Sequence, residues 1–447
     1  MTWHDNTLAH DESDAIPTGW HEVPVQKLIV KHICGPSPDC DERPIQTEQE
    51  WGVLKTTAIV WKGWNESAHK TLPREYWGLE HLQVQQGDVL ITKAGPRDRV
   101  AVVVHVTSKP RRIIVSGKMI ALRPRPDAVV PQVLCGVLGL RRIQDYIHGR
   151  TTGMAESQVN FANGVVLDAN VRVPVEIAEQ SRIAEILDTL DAAIRETEAV
   201  VAKLRQVKAG LLHDLLTRGL DEHGQLRDPI RHPEQFQDSP LGRIPKDWDI
   251  VPLGQTFDMQ LGKMMSKDAK RGRRPLPYLG NRGVQWEHAD LSAMEFMDFT
   301  EEEEVKFRLL PGDVLVCEGG EVGRAAIWQG ELDRCCFQKA LHRLRPKTQD
   351  TLAEFLLMFM RRAVDLGLLQ NYTSQTSIAH LTQEKFAMVP FLSPKPDEQR
   401  AISKTFREWN TRISTQEAEL SKLHCLKRGL SHDLLTGRVR VKLEPQP

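Results

Sequence analysis

The chain has 447 residues, enough at roughly 150 per domain for about three units. Its 59 Lys and Arg against 60 Asp and Glu leave a net charge of −1, which excludes a uniformly basic nucleic-acid binder; only local basic patches, or a partner's charge, could meet DNA. Charged residues at 27% and a mean hydropathy of −0.39 describe an ordinary soluble globular composition. Met1 to Asp5 lack the basic-then-apolar pattern of a secretory leader, and the longest uncharged apolar stretch, Ala128 to Leu140, has 13 residues interrupted by Pro131 and Gln132, too short to span a bilayer. Seven scattered cysteines, an odd number, suit a reducing cytosol and argue against a disulfide framework, so a cytoplasmic setting is expected.

In chain order, the first motif is Ile16-Pro17-x-x-Trp20-x-x-Val23-Pro24. Gly87-Asp88-Val89-Leu90 then opens an apolar run that predicts strands over Asp88 to Lys93 and Val100 to Thr107. Around it lie Lys93, Arg97, Arg99, Arg111, Arg112 and Lys118. Short polar side chains follow at Ser157, Gln158 and Asn160, and Val173-Pro174 precedes a long helix predicted over Glu179 to Thr217. Leu220 to Arg243, rich in Pro, Asp and His, reads as a linker. Then the order starts again: Ile244-Pro245-x-x-Trp248-x-x-Val251-Pro252, a dense basic cluster of Lys267, Lys270, Arg271, Arg273 and Arg274, a strand over Val314 to Cys317, polar Gln375, Thr376, Ser377 and His380, Val389-Pro390, and a second long helix over Glu398 to Thr436.

An offset of 219 aligns the two helical segments without a gap, with 16 of 39 positions identical, including His213-Asp214-Leu215-Leu216-Thr217 and His432-Asp433-Leu434-Leu435-Thr436. The markers keep their spacing. From Ile-Pro to Gly-Asp-Val-Leu is 71 residues (87 minus 16) in one half and 68 (312 minus 244) in the other; from there to Glu-Gln is 92 (179 minus 87) and 86 (398 minus 312). Order and spacing preserved over three markers make the chain a tandem duplication of domain and helix. Between the markers the halves barely match, which points to two related modules doing one job on different targets.

Each helix carries a seam at alternating steps of four and three. In the first it is Ile183, Leu187, Leu190, Ile194, Thr197, Val201, Leu204, Lys208, Leu211, Leu215; in the second, Ile402, Phe406, Trp409, Ile413, Gln416, Leu420, Leu423, Lys427, Leu430, Leu434. The polar interruptions fall at equivalent places, Thr197/Gln416 and Lys208/Lys427. A helix of about 40 residues is about 60 Å long and an exposed seam of that length needs a partner. The simplest partner is the other copy, paired antiparallel; the alternative is that each helix packs on its own domain. Gly210 and Gly429, equivalent and inside the helices, lead to an expected close approach of a neighbouring backbone. Gly219 and Gly437 fit helix-stopping positions.

This doubled arrangement resembles the specificity subunit of type I restriction–modification systems, from about Ile16 to Arg440. The resemblance implies an α+β fold. Two globular target recognition domains, each α/β, are separated by two long helices that form an antiparallel coiled coil, in a pseudo-two-fold tandem repeat. The expected boundaries are 1–175 for the first recognition domain, 176–220 for the central helix, 221–243 for the linker, 244–396 for the second recognition domain and 397–440 for the distal helix. Each domain would read one half of a bipartite, asymmetric site in double-stranded DNA, while the coiled coil sets the gap and docks the methyltransferase subunits. The partners implied are two modification subunits and two restriction subunits, the latter ATP-driven nucleases. S-adenosylmethionine, ATP and Mg²⁺ would sit on them, with no cofactor or metal in this chain. One departure is Lys93-Ala94-Gly95-Pro96-Arg97-Asp98-Arg99 in the first module, where the second has Glu318-Gly319-Gly320-Glu321-Val322-Gly323-Arg324, nearer the family pattern.

Catalytic motifs are not found. There is no Asn-Pro-Pro-Tyr or Asp-Pro-Pro-Tyr run, and no Phe-x-Gly-x-Gly loop for S-adenosylmethionine. Gly262-Lys263 lacks the phosphate-loop context, since Phe257 stands where glycine and Met264 where Ser or Thr is needed. Asp313 and Glu318 are spaced like a nuclease carboxylate pair, but Gly320 takes the place of the lysine. His213-Asp214 and His432-Asp433 point about 100° apart on a helix and have no nucleophile, so they are expected to pack and cap helix ends. His32, Cys34 and Cys40 are too few and too irregular for zinc. In a recognition domain the basic residues become phosphate clamps and the short polar ones base readers. The expected DNA-contact set is Lys93, Arg97, Arg99, Arg111, Arg112, Lys118 and Gln158 in the first module, and Lys263, Lys267, Lys270, Arg271, Arg273, Arg274, Arg324, Gln375 and His380 in the second. Two rival functions are a self-contained methyltransferase or nuclease, which would act alone with metal or S-adenosylmethionine, and a DNA-independent coiled-coil scaffold, which would show no salt-dependent DNA binding.

Overall fold

The computed structural model describes residues 15–61, 63–265, 274–373 and 380–443. It divides into two units, Met1–Glu198 with Glu419–Pro447, and Ala199–Ala418. Helix and strand are mixed in each, and both long helices, Ile177–Leu215 and Pro396–Thr436, contribute residues to both units.

In the first unit a four-stranded antiparallel sheet runs in the order Ile29–Ile33, Met119–Pro124, Val89–Thr92, Val103–His105. All four residues of Val89–Thr92 are buried because both faces of the sheet are covered. Val89 and Ile91 face a core shared with the helices Pro131–Leu138 and Ile177–Leu215, while Leu90 faces a second core with Ile59, Ile113 and Val115. A smaller sheet sets Gly52–Leu54 between Ile113–Ile114, parallel, and His69–Thr71, antiparallel. Trp20–Pro24 pairs with Asn170–Pro174, which explains why the Trp-x-x-Val-Pro and Val-Pro motifs travel together. The second strand of the central pair is shorter than the expected Val100 to Thr107, because Ala101 adopts φ 64° and breaks the extended run.

The second unit uses the same strand order. Phe257–Leu261, Leu341–Pro346, Val314–Cys317 and Ala325–Ile327 form its antiparallel sheet; Pro275–Leu279 lies between Cys336–Phe337, parallel, and Glu295–Asp298, antiparallel; Asp249–Pro252 pairs with Pro390–Ser393. Val314 and Val316 face one core, Leu315 and Cys317 another.

The Gly-Asp-Val-Leu motif is a structural device in both units. Gly87 and Gly312 turn at φ +89° and +90°, a conformation that favours glycine. The buried Asp88 accepts from the Gln85 N–H at 2.8 Å and from Arg123 Nε and Nη2 at 2.8 and 2.9 Å. Asp313 accepts from the Leu310 N–H at 2.7 Å and from Arg345 Nε and Nη2 at 2.7 and 2.8 Å. Asp313 is thus committed to an arginine fork rather than to a metal.

All sixteen apolar seam residues of the long helices are buried or half-buried. In the first unit Glu179 meets Arg440, Asp191 meets Lys427 and Glu198 meets His424, so residue numbers rise along one helix as they fall along the other. In the second unit Arg205 meets Glu417 at 2.5 Å, and Lys208 Nζ lies 4.6 Å from the Phe406 ring centroid. The helix starts are anchored alike. Gln180 accepts from the Val130 N–H at 2.8 Å and donates to Pro174 O, and Gln399 accepts from the Leu352 N–H at 3.1 Å and donates to Pro394 O. Glu179 takes a two-point bond from Arg440 at 2.6 and 2.7 Å; Glu398 takes one from Arg227 at 2.5 and 3.2 Å and a third from Trp248 Nε1. The helices end before Gly219 (φ +62°) and Gly437 (φ +73°).

The expected backbone approach at Gly210 and Gly429 is not found. A Cβ built at either position meets nothing within 4 Å, so neither glycine makes room for a described neighbour. Gly136 does make room for a side chain on the second long helix: a Cβ there would come within 2.6 Å of Leu435 Cδ1.

Candidate nucleic-acid interface

In the first module the predicted residues converge through strand pairing. Ala94–Gly95 pairs with Gln158–Asn160, Lys93 and Ala94 both donate their N–H to the Lys118 carbonyl, and the Phe161 N–H donates to Lys93 O. Lys93, Lys118, Gln158 and Asn160 therefore share one short ribbon. Lys118 and Gln158 are exposed. Lys93 is half-buried, its Nζ donating to Asn163 Oδ1 at 3.0 Å, and Asn163 in turn donates to Cys34 Sγ at 3.2 Å. Arg97 is held by Glu156 at 2.9 Å across the same ribbon, and Arg99 reaches the Thr56 carbonyl at 3.4 Å. Arg111 and Arg112 are exposed on a different loop, whose backbone is bonded by Glu66 and Gln83.

In the second module the corresponding loop is occupied by internal bonds. Lys263 Nζ donates to Glu303 at 2.6 Å and to the Asp298 carbonyl at 2.7 Å, 5.0 Å from the Phe299 ring centroid. Burial works to raise the Glu303 carboxyl, and its bond to Lys263 overrides that, leaving it below the usual carboxylate range. Arg274 Nη2 donates to Glu304 at 2.7 Å. Glu304 is bonded twice more by Arg334, and those bonds, ahead of burial and of the nearby Arg274 charge, hold its carboxyl low. Arg324 donates to Glu321 at 3.0 Å and to the Asn281 carbonyl at 2.8 Å. Lys263 and Arg324 are thus struts of the loop they stand on. His380 is exposed beside Leu381, whose N–H donates to Glu318 O. Lys267, Lys270, Arg271, Arg273 and Gln375, with Thr376 and Ser377, lie outside the described residues.

The His-Asp pairs sit at helix ends. His213 Nδ1 faces Arg362 Nη1 at 2.8 Å, and Thr217 and Thr436 donate to the His213 and His432 carbonyls at 2.7 and 2.6 Å. Among the described residues no group of three His, Cys, Asp or Glu could hold a metal, and no helix is long and apolar enough to cross a membrane. A cavity of about 350 Å³ in the first unit is lined by Ile16, Val137, Leu140, Ile143 and Leu435 among others; none of the predicted DNA-contact residues lines it. What the sites offer is cationic and amide groups on paired short strands, an arrangement suited to holding a polyanion.

The two modules share one strand order, and each is joined to a long helix. Residues 245–424 match the family described as type I restriction modification DNA specificity domain. The specificity subunit of the type I restriction enzyme EcoEI from Escherichia coli is 28% identical over 204 residues, 45% of this chain and 34% of that one. The match thus spans about a third of that relative's length. Two solved structures resemble the fold. One comes from work on complex assembly and conformational transition of the type I restriction–modification system, at 16% identity, TM-score 0.56, with 96% of this chain and 100% of that chain covered. The other is the type I restriction–modification S subunit of M. genitalium, at 14% identity, TM-score 0.53, with 95% and 98% covered. The family match covers residues 245–424, and the two solved structures show a likeness of fold along nearly the whole chain.

Sequence reasoning missed several residues that build the frame: Gln180, Gln399, Glu179, Glu398, Arg227 and Arg440. Identity of the Glu-Gln pair at offset 219 was the available signal for four of them. The two arginines sit at unequal distances past their helices and gave none.

Proposed function

We propose that this chain selects the DNA sequence for a type I restriction–modification complex and itself makes and breaks no bond. Each module reads one half of a bipartite, asymmetric site. The two long helices act as an antiparallel coiled coil within a pseudo-two-fold repeat, setting the gap and docking two adenine-methylating modification subunits, to which two ATP-driven restriction subunits add. S-adenosylmethionine, ATP and Mg²⁺ belong to those partners, and the complex works in the cytosol, a setting that seven unpaired cysteines suit. In the first module Lys93, Arg97, Arg99, Arg111, Arg112 and Lys118 grip phosphates and Gln158 reaches bases; in the second, Lys263, Lys267, Lys270, Arg271, Arg273, Arg274, Arg324, Gln375 and His380 do so, Lys263 and Arg324 also holding the loop in shape.

The observation that carries this is one strand order used twice with different side chains on the reading loops. A frame repeated with divergent edges fits two related but unequal DNA half-sites better than one composite catalytic centre. The experiment is to purify the chain with its cognate modification subunit and map methylated adenines. Methylation confined to a two-part site is expected. Replacing residues 1–175 with the first domain of another such subunit should change one half-site only. Methylation without sequence preference would overturn the proposal, and a change in both half-sites would overturn its modular form.

A further inference from the structure

Offset 219 carries Lys208 onto Lys427, and Asp191 onto Asn410. In the first unit Lys427 bonds Asp191, a link from one long helix to the other. In the second unit the same two places hold Lys208 and Asn410, and the carboxylate is gone. The missing charge comes from outside the helices. Glu287 Oε1 accepts from Lys208 Nζ at 2.6 Å, and its Oε2 accepts from Asn410 Nδ2 at 3.0 Å. One module side chain therefore engages both long helices at the point where they have lost their own counter-charge. Lys208 is mostly buried over the Phe406 ring, where an ammonium without a carboxylate is costly.

The backbone is strained to make this reach. Glu287 sits at φ +72°, one of two non-glycine residues with positive φ among the described residues. Glycine would relieve the strain but carry no carboxylate, so the side chain accounts for the residue. The strain is held from the module side. Val284 and Ala289 bridge a short hairpin closed by the Gln285 N–H to His288 O at 3.0 Å. The Glu287 N–H donates to Ala325 O at 3.0 Å, and Trp286 Nε1 donates to Glu321 at 2.8 Å.

We propose that Glu287 is a positioning residue: it returns to the helix pair the charge lost at Asn410 and thereby locks the second recognition module onto the two helices. At the equivalent place the first unit uses Lys427 and Asp191, both on the long helices, so the two units differ at this point. Resting on the function proposed above, the consequence is that the lock makes the complex stringent about the gap between half-sites.

The test separates helix pairing from module locking. Glu287→Gln with Asn410→Asp moves the carboxylate onto the helix, as in the first unit. The full-length double variant should melt near wild type. Amides of the Val284–Ala289 hairpin and of Ala325–Ile327 should nevertheless exchange hydrogen at least tenfold faster, with first-unit amides unchanged. In complex with the modification subunit, methylation of sites with the gap altered by one base pair should rise at least tenfold relative to the native gap. A role in stability alone moves neither readout once stability is restored. The charge reversal Lys208→Glu with Glu287→Lys should bring hairpin exchange back within threefold of wild type. Wild-type exchange in the double variant, or a hairpin still loose after reversal, overturns the lock. Faster exchange with no gap preference even in wild type supports the lock and overturns the function on which its consequence rests.

Discussion

Acidification should loosen the second unit through one histidine. His342 is fully buried on the strand Leu341–Pro346, its Nε2–H donating to the Leu381 carbonyl at 2.7 Å and its ring 5.2 Å from that of Phe386. Its Nδ1 is buried with no hydrogen-bond partner, so a proton there would place a cation in the core with nothing to accept it. Burial pushes the imidazole down from 6.5 to about 4, against a smaller opposing effect of the Leu381 bond. Because the folded pKa lies below the unfolded one, the stability is fully present above pH 6.5 and is lost as pH falls toward 4, while the unfolded chain takes up a proton the folded chain refuses. At pH 5 that difference amounts to about 2 kcal/mol. His342→Gln keeps an N–H donor for Leu381 and removes the titration. Unfolding free energies at pH 7.5 and 5.0 should be taken from exchange of the amides in Leu341–Pro346, since a chain of two units need not unfold in one step. Wild type should lose about 2 kcal/mol more than the variant over that interval. Equal losses would mean that His342 is not held neutral, and the burial argument would fail.

Gly210→Ala and Gly429→Ala should each raise stability by about 1 kcal/mol, because both sit inside a helix with open space at the Cβ position; denaturant midpoints check this. Asp313→Ala should cost the second unit about 3 kcal/mol by stranding Arg345 and the Leu310 N–H, and Asp88→Ala should do the same to the first through Arg123; exchange in each unit reads them apart. Lys93→Ala with Lys118→Ala should weaken DNA binding by the complex at the first half-site only and reduce the slope of log affinity against log salt by about 2, measured by titration at several salt concentrations.

The frame was legible because it is duplicated, and duplication turns single weak motifs into aligned pairs. Val314–Cys317 reads as a strand on its apolar run, and the four-and-three steps of Ile183 through Leu215 read as one helix face. Gly210 and Gly429 misled for the same reason, since presence in both copies looked like a packing requirement and the space around them is open. The partners of the candidate cations were not legible. Lys263 and Arg274 look alike as cations, but Glu303 and Glu304 engage them from 40 and 30 residues away in the chain. Long-range pairing of that kind has no period and no local signature. Glu287 was invisible on the same grounds, because its importance depends on an Asn410 that is remarkable only beside Asp191.

The matching Glu, Gln and Asp residues of the two halves share one property: their partners belong to the frame. Gln180 and Gln399 each satisfy a backbone N–H where a helix or loop begins, and Asp88 and Asp313 each satisfy a turn N–H and an arginine on the neighbouring strand. Those donors are partly buried, and leaving one unpaired costs about 1–3 kcal/mol, so substitution at these positions is costly. Lys118, Gln158 and His380 are exposed instead, and substitution there leaves the buried bonds of the frame intact. A module of this design can alter its edge without solving the core again. The fastening of module to helix lies between these extremes: its requirement is one carboxylate near a seam lysine, and Asp191 and Glu287 show that either a helix or a module can supply it.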